Sequence, residues 1–150
     1  MPHEQQKAEH IITIARQWLG TPYHHQQSLK GIGCDCLGLI RGIYSELYNH
    51  PPAVHTPYTR DWAEASGEET LIKAAGAHLK QIDINQHAPG DVLIFRFRKW
   101  MVAKHAAIES YEGRMIHAIE QSPVSEVSLG PWWQRHIAAV FRFPERPAGL

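Results

Sequence analysis

Gly33-Cys34-Asp35-Cys36-Leu37-Gly38-Leu39-Ile40 joins a glycine-bearing loop to an apolar helix, and the rest of the chain is read outward from this junction. Beyond it, Leu37, Ile40, Tyr44, Leu47 and Tyr48 recur at helical spacing, so the segment buries one side and ends near Asn49-His50-Pro51. Cys36 falls at the helix start. A thiol there feels the positive end of the helix dipole and lies beside backbone N–H groups with no helical partner. Both features favour a thiolate, and the same N–H groups can hold a developing oxyanion, so Cys36 is the candidate nucleophile. Gly38 and Gly42, one turn apart, each cost about 1 kcal/mol relative to alanine. That cost implies something packed close against the helix backbone.

Two other readings of the cysteines stand beside this one. Free cysteines are commonly small buried hydrophobes, and that is the expectation for Cys34. A metal or redox role for Cys34-Asp35-Cys36 would need more ligands, and neither a second cysteine pair nor a His-x3-His run occurs. A disulfide between residues two apart is geometrically demanding.

At 150 residues the chain fits one domain, 1–150, with a single sizeable core. Lys plus Arg balances Asp plus Glu at 15 each, so no net field draws it to nucleic acid or an anionic membrane. The basic cluster Arg96, Arg98, Lys99 and Trp100 reads as an exposed loop beyond a strand. Met1 to Lys7 is polar, without the apolar core of a signal peptide, and no run is long enough for a membrane helix. The expectation is synthesis in the cytoplasm, with export left to other machinery. Two cysteines do not make a disulfide scaffold, and most of the eleven histidines are scattered singly as surface residues.

Ala8, Ile11, Ile12, Ala15, Trp18 and Leu19 form a helical stripe, predicting a first helix from about Glu4 to Leu19, stopped by Gly20. Tyr23 to Gly33 reads as a polar loop. Pro51 to Thr59, with three prolines, should cross the surface, with a cleft as one place for it to lie. Asp61 can cap a short turn carrying Trp62, and Ser66-Gly67-Glu68-Glu69 matches a capping box for a helix ending near Leu79. The period then changes. Ala88-Pro89-Gly90-Asp91 is turn chemistry before a buried strand, Val92 to Phe97. Further strands are predicted at His105 to Tyr111, Arg114 to Ile119, Val124 to Leu129 and Ile137 to Phe143, with Pro131-Trp132-Trp133 as a link. Helices first and an antiparallel sheet of about five or six strands afterwards give an α+β layout.

A cysteine nucleophile needs a base, and the base needs an orienting group. His105 and His117 are the candidates, and side-chain alternation puts both on one face only across an odd-length loop. A three-residue loop Tyr111-Glu112-Gly113 meets this, since such loops end on a left-handed residue and Gly113 stands there. Ser110 then faces Arg114, Ala107 faces His117, and His105 is the diagonal neighbour of His117. A two-residue loop Glu112-Gly113 would separate the rings.

With these residues in place the chain resembles the NlpC-type cell-wall cysteine peptidases, a branch of the papain-like fold. Leu19-Gly20-Thr21-Pro22-Tyr23 is similar to that family's opening motif, and Asp35-Cys36-Leu37-Gly38-Leu39 to its nucleophile motif. Pro89-Gly90-Asp91-Val92-Leu93 resembles the strand that follows, and Lys104-His105-Ala106-Ala107-Ile108 and Met115-Ile116-His117-Ala118 resemble its histidine strands. The Gly-Cys-Asp-Cys-Leu-Gly-Leu variant, Asp61-Trp62 and the closing Phe141-Arg142-Phe143-Pro144 look most like members encoded with phage tails and gene-transfer agents.

The resemblance implies hydrolysis of peptidoglycan stem peptides, typically at the D-γ-glutamyl–diamino acid bond, with no metal or organic cofactor. Cys36 would attack the carbonyl, His105 would act as base and His117 would fix its tautomer. Tyr23 would place a hydroxyl near the nucleophile and Asp35 would pair with a free stem-peptide amine; a packing aromatic and a helix cap are the plainer readings of these two. Leu37 stands where the family usually has serine, which loosens any requirement for a free N-terminal alanine. Delivery in a tail-like particle, with tail proteins as partners, is part of the same expectation. An acyltransferase or amidase of the same fold, and a catalytically silent tail-hub adaptor, are the alternatives.

Overall fold

The N-terminal stripe folds as α1 (His3–Arg16), burying Ile11, Ile12, Ile14 and Ala15. The helix ends short of the predicted Leu19. Gln17, Trp18 and Leu19 donate instead to carbonyls three residues back, a tightened last turn that Gly20 closes at φ +87°. The computed structural model describes residues 3–50, 67 and 69–145. The predicted Pro51–Thr59 loop and the Asp61–Trp62 turn lie outside the described residues.

The segment read as a polar loop contains a small antiparallel hairpin, β1 (Ser28–Leu29) and β2 (Gly33–Cys34), pairing Ser28 with Cys34. It leads into α2 (Cys36–Tyr48), capped by Asp35 and ended by left-handed Asn49 at φ 53°. The buried arc of α2 is broader than the predicted stripe. Leu39, Ile40, Ile43 and Tyr44 are buried together with both glycines, while Leu37, Leu47 and Tyr48 are only partly buried against the core. The glycines explain the shift. A Cβ on Gly42 would fall closer than 3.0 Å to the Trp18 ring of the preceding segment, and one on Gly38 equally close to the Gln27 carbonyl oxygen. The Gln27 loop and the turn that follows α1 are thus laid directly on the α2 backbone.

That contact sets a measurable expectation. Gly38→Ala drives a methyl into main-chain atoms that cannot rotate away, and should cost about 3 kcal/mol of stability, the upper part of the usual range for overpacking. Urea denaturation checks it; a loss below about 0.5 kcal/mol would mean the loop is not held there.

α3 (Thr70–Gly76) begins after Glu69 and ends before the predicted Leu79. Glu69, the last residue of the predicted Ser66–Glu69 capping box, is itself at the N-cap without a side-chain capping bond. Its carboxylate accepts instead from Arg96 and from the Ala103 N–H at 3.2 Å, so a tertiary tie displaces the local one.

The sheet has six strands in the order β3 (Lys80–Ile82), β8 (Ile137–Arg142), β4 (Val92–Phe95), β5 (His105–Glu109), β6 (Arg114–His117), β7 (Ser125–Ser128). Every pairing is antiparallel. Strand β3 was not foreseen: a three-residue edge strand with two exposed positions carries no readable alternation. Nor was α4 (Pro131–Arg135), a five-residue helix with proline at its start, which falls in the predicted link.

Alternation divides the sheet into two apolar layers. Val92, Ile94, Ala106, Ile108 and Ile116 join the large core with the α1, α2 and α3 side chains. Leu93, Phe95, Ala107, Met115 and Val140 form a second cluster, covered by Leu129 and Trp133. The Pro-Gly-Asp turn is fixed at both ends: Arg142 donates to both Asp91 oxygens at 2.9 Å, and the Gly90 N–H to the Glu109 carbonyl at 2.8 Å. The architecture is α+β, with the helical layer on one face of an antiparallel sheet.

Candidate active site

Asp35 determines where α2 starts and so where Cys36 sits. One carboxylate oxygen accepts from the Gly38 N–H at 2.7 Å and the other from the Gln26 N–H at 2.7 Å, with His25 Nδ1 at 3.7 Å. Asp35 is therefore a buried helix cap that also ties the preceding loop to the helix. Cys36 is the first helical residue, 6% exposed. It lines a cavity of about 240 Å³ together with Tyr23, Asp35, Phe97 and His105. The backbone of Ala106, Leu37 and Cys36 itself acts on the sulfur in the sense that favours a thiolate.

The hairpin β5–β6 supplies the imidazoles. Ala107 pairs with His117 and Glu109 with Met115, and the Ser110 N–H donates to the Arg114 carbonyl at 2.8 Å. This is the register of the three-residue loop, with Gly113 left-handed at φ 67° and Glu112 also at φ 58°. Both rings consequently lie on one side, and His105 Nε2 is 2.8 Å from His117 Nδ1. Among the described histidines these two alone are buried, which separates them from the scattered surface histidines of the sequence. Among the described residues, no group of three His, Cys, Asp or Glu side chains is placed to hold a metal ion.

The electrostatics depart from the expected thiolate. Burial, and next the negative charge of Asp35, push the Cys36 thiol up to about 12, against the opposing pull of the three backbone groups. The reason lies in the cap. The carboxylate that completes the helix start also places an anion beside the sulfur and offsets the dipole. Burial, and then the neighbouring His117, bring His105 down to about 3, and burial lowers His117 as well. Burial thus favours the neutral forms of the Cys36 thiol and of both imidazoles, with His105 in the same cavity as the thiol.

Tyr23 is half-buried, bridges Cys34 in the β1–β2 region and faces the cavity. Cys34 is fully buried in β2, its thiol raised to about 12 by burial and then by Asp35, and it does not line the cavity. The sequence reading missed Phe97 and Trp133 as site neighbours. Their rings lie 6.1 and 5.6 Å from that of His105. A helix as short as α4 has no periodicity to reveal which of its residues turns inward.

A helix-borne thiol set against a histidine hairpin of an antiparallel sheet defines a papain-like fold. The chain belongs to the NlpC/P60 family, whose family model matches residues 20–142. It is 25% identical over 134 residues to the gamma-DL-glutamyl hydrolase of Bacillus subtilis (strain 168). That match covers 89% of this chain but 29% of the hydrolase, so the chain spans under a third of its curated relative. Among solved structures, the NlpC/p60 domain of the peptidoglycan hydrolase SagA superposes with TM-score 0.64 at 21% identity, covering 91% of this chain and 98% of that one. An NLP/P60-family protein of Staphylococcus aureus superposes with TM-score 0.62 at 19% identity, covering 97% of this chain and 44% of the other. No described helix is long and apolar enough to cross a membrane.

Proposed function

We propose that this chain is a cysteine peptidase that hydrolyses peptidoglycan stem peptides, with the D-γ-glutamyl–diamino acid bond as its target. The observation that carries the reading is the buried His105–His117 pair, 2.8 Å apart, with His105 in the same cavity as Cys36. When His105 Nε2 donates to His117 Nδ1, its Nδ1 is left as an acceptor for the thiol proton. As that proton moves to His105, the sulfur attacks the peptide carbonyl carbon and the backbone N–H groups at the helix start receive the oxyanion. The imidazolium then protonates the leaving amine as the C–N bond breaks, giving a thioester. Water, deprotonated by His105, attacks the thioester, releases the carboxylic acid and restores the thiol.

Tyr23 has its place in this scheme at the cavity wall, orienting the carbonyl. Asp35, which lines the cavity, would pair with a stem-peptide amine, secondary to its role as cap. The resemblance of the nucleophile stretch to tail-encoded members supports delivery by a tail-like particle. Purified sacculi incubated with the protein should release new amino termini, and mass spectrometry of the fragments should show the cut after γ-glutamate. Fragments joined to added amines in preference to water would make it a transferase instead. Intact sacculi and isolated stem peptides alike would overturn the proposal.

A further inference from the structure

Helix α4 covers the histidine pair from the side of the sheet opposite the large core. Its Trp133 ring lies 5.6 Å from that of His105, tilted by 39°, and 5.5 Å from that of His117, at 89°. The same indole meets Phe95 at 4.9 Å, and Phe95 and Phe97 stack on His105 at 5.9 and 6.1 Å. His105 is therefore walled by three aromatic rings, with the thiol cavity on its remaining side.

The cover is tied to the strands on either side of it. Gln134 Nε2 donates to the Leu129 carbonyl at 2.8 Å, and the His136 carbonyl accepts from the Arg96 N–H at 2.9 Å. Trp132, half-exposed, stacks on the His136 ring at 4.0 Å and braces the outer side. The arrangement fixes Trp133 relative to β4, the strand that carries Phe95 and pairs with His105.

We propose that Trp133 is a positioning residue that closes the His105–His117 pair off from water and holds the His105 ring in line with the thiol. This deepens the peptidase reading and, for its catalytic consequence, rests on it. An indole face also attracts an imidazolium, so Trp133 favours the cation formed during proton transfer while denying it water at rest. Water exclusion is the larger of the two effects. His105 is 4% exposed, and burial is the first cause of its depressed basicity, ahead of the coulombic cost of a proton beside His117. The titratable neighbours do not change this. His117 is bonded to His105; Tyr23, His25, Asp35, Cys36, Lys104 and Glu120 share the cavity; His136 lies behind Trp132. From α4, only the uncharged indole faces the ring.

The test is an NMR titration of the two imidazoles in the wild type, Trp133→Ala and Trp133→Phe, alongside pH profiles of kcat/KM on stem peptide. In Trp133→Ala, water reaches the pair, and the His105 pKa should rise from about 3 by at least one unit toward 6.5. The acid limb of kcat/KM should move by the same amount, with a fall in kcat and little change in KM. Phenylalanine, still aromatic and apolar, should keep the low pKa and restore most of kcat. An unchanged or lower His105 pKa in a folded Trp133→Ala variant overturns the proposal. Should the alanine variant fail to fold, Trp133→Gln leaves more side chain than alanine and brings hydration, and the same rise is required of it. If no variant or wild type cleaves any stem peptide, the peptidase reading fails, while the NMR titration still decides the role of Trp133.

Discussion

Cys36→Ala is expected to bring the release of amino termini from sacculi down by at least about 10⁴-fold, the scale lost when a covalent nucleophile is removed. The protein should remain folded. The substitution removes one sulfur from a buried site, a change that ordinarily costs about 1 kcal/mol, and the cap bonds of Asp35 to Gly38 and Gln26 do not involve it. Cys34 provides an internal control two residues away. Its thiol is as deeply buried and its pKa is raised as far, yet it stands on β2 and does not line the cavity. Cys34→Ala should therefore keep activity within about twofold of wild type, with any loss appearing in stability. A common reactive-cysteine artefact would reduce both variants alike. Equal residual activity in the two removes Cys36 from the mechanism.

The contrast between the two cysteines also shows what was legible in the sequence and what was not. The position of Cys36 at a helix start, the glycines that need close neighbours and the hairpin register all follow from local rules. Helix caps, glycine cost and strand alternation involve residues a few positions apart, so the chain displays them directly. The protonation of Cys36 does not. It depends on how deeply the sulfur is enclosed and on the second role of Asp35, whose capping charge opposes the dipole it completes. The same limit explains Glu69, which has the spacing of a capping box but is drawn to Arg96 across 27 residues of sequence. It explains Trp133 as well. An aromatic residue in a five-residue helix has no periodic context, and only the folded sheet shows that it lies against two histidines.

His105→Ala should lower kcat/KM by about 10³- to 10⁴-fold, because it removes the imidazole that shares the thiol's cavity and would take its proton and return it to the leaving amine. His117→Ala should lose about 10²-fold, the scale of a misaligned rather than missing group. His117 touches His105 Nε2, not the sulfur, so its removal frees the ring to rotate without abolishing the base. The pH profiles then separate the roles. In the wild type, His105 must be neutral to accept a proton, and its pKa lies near 3, below the ordinary 6.5. Acid should therefore leave kcat/KM flat through pH 6.5 and reduce it only well below. The Cys36 thiol, pushed up to about 12, should give no alkaline limb before pH 9. In His117→Ala two causes of the depressed His105 pKa diminish together, first the enclosure and then the coulombic cost of adding a proton beside His117. Its acid limb should move up toward 6.5 while the plateau falls. In His105→Ala the acid limb that reports His105 should disappear with the base. Equal plateaus for the two variants, or a wild-type limb already at 6.5, would mean that His117 shares the proton transfer and that the pair acts as one base.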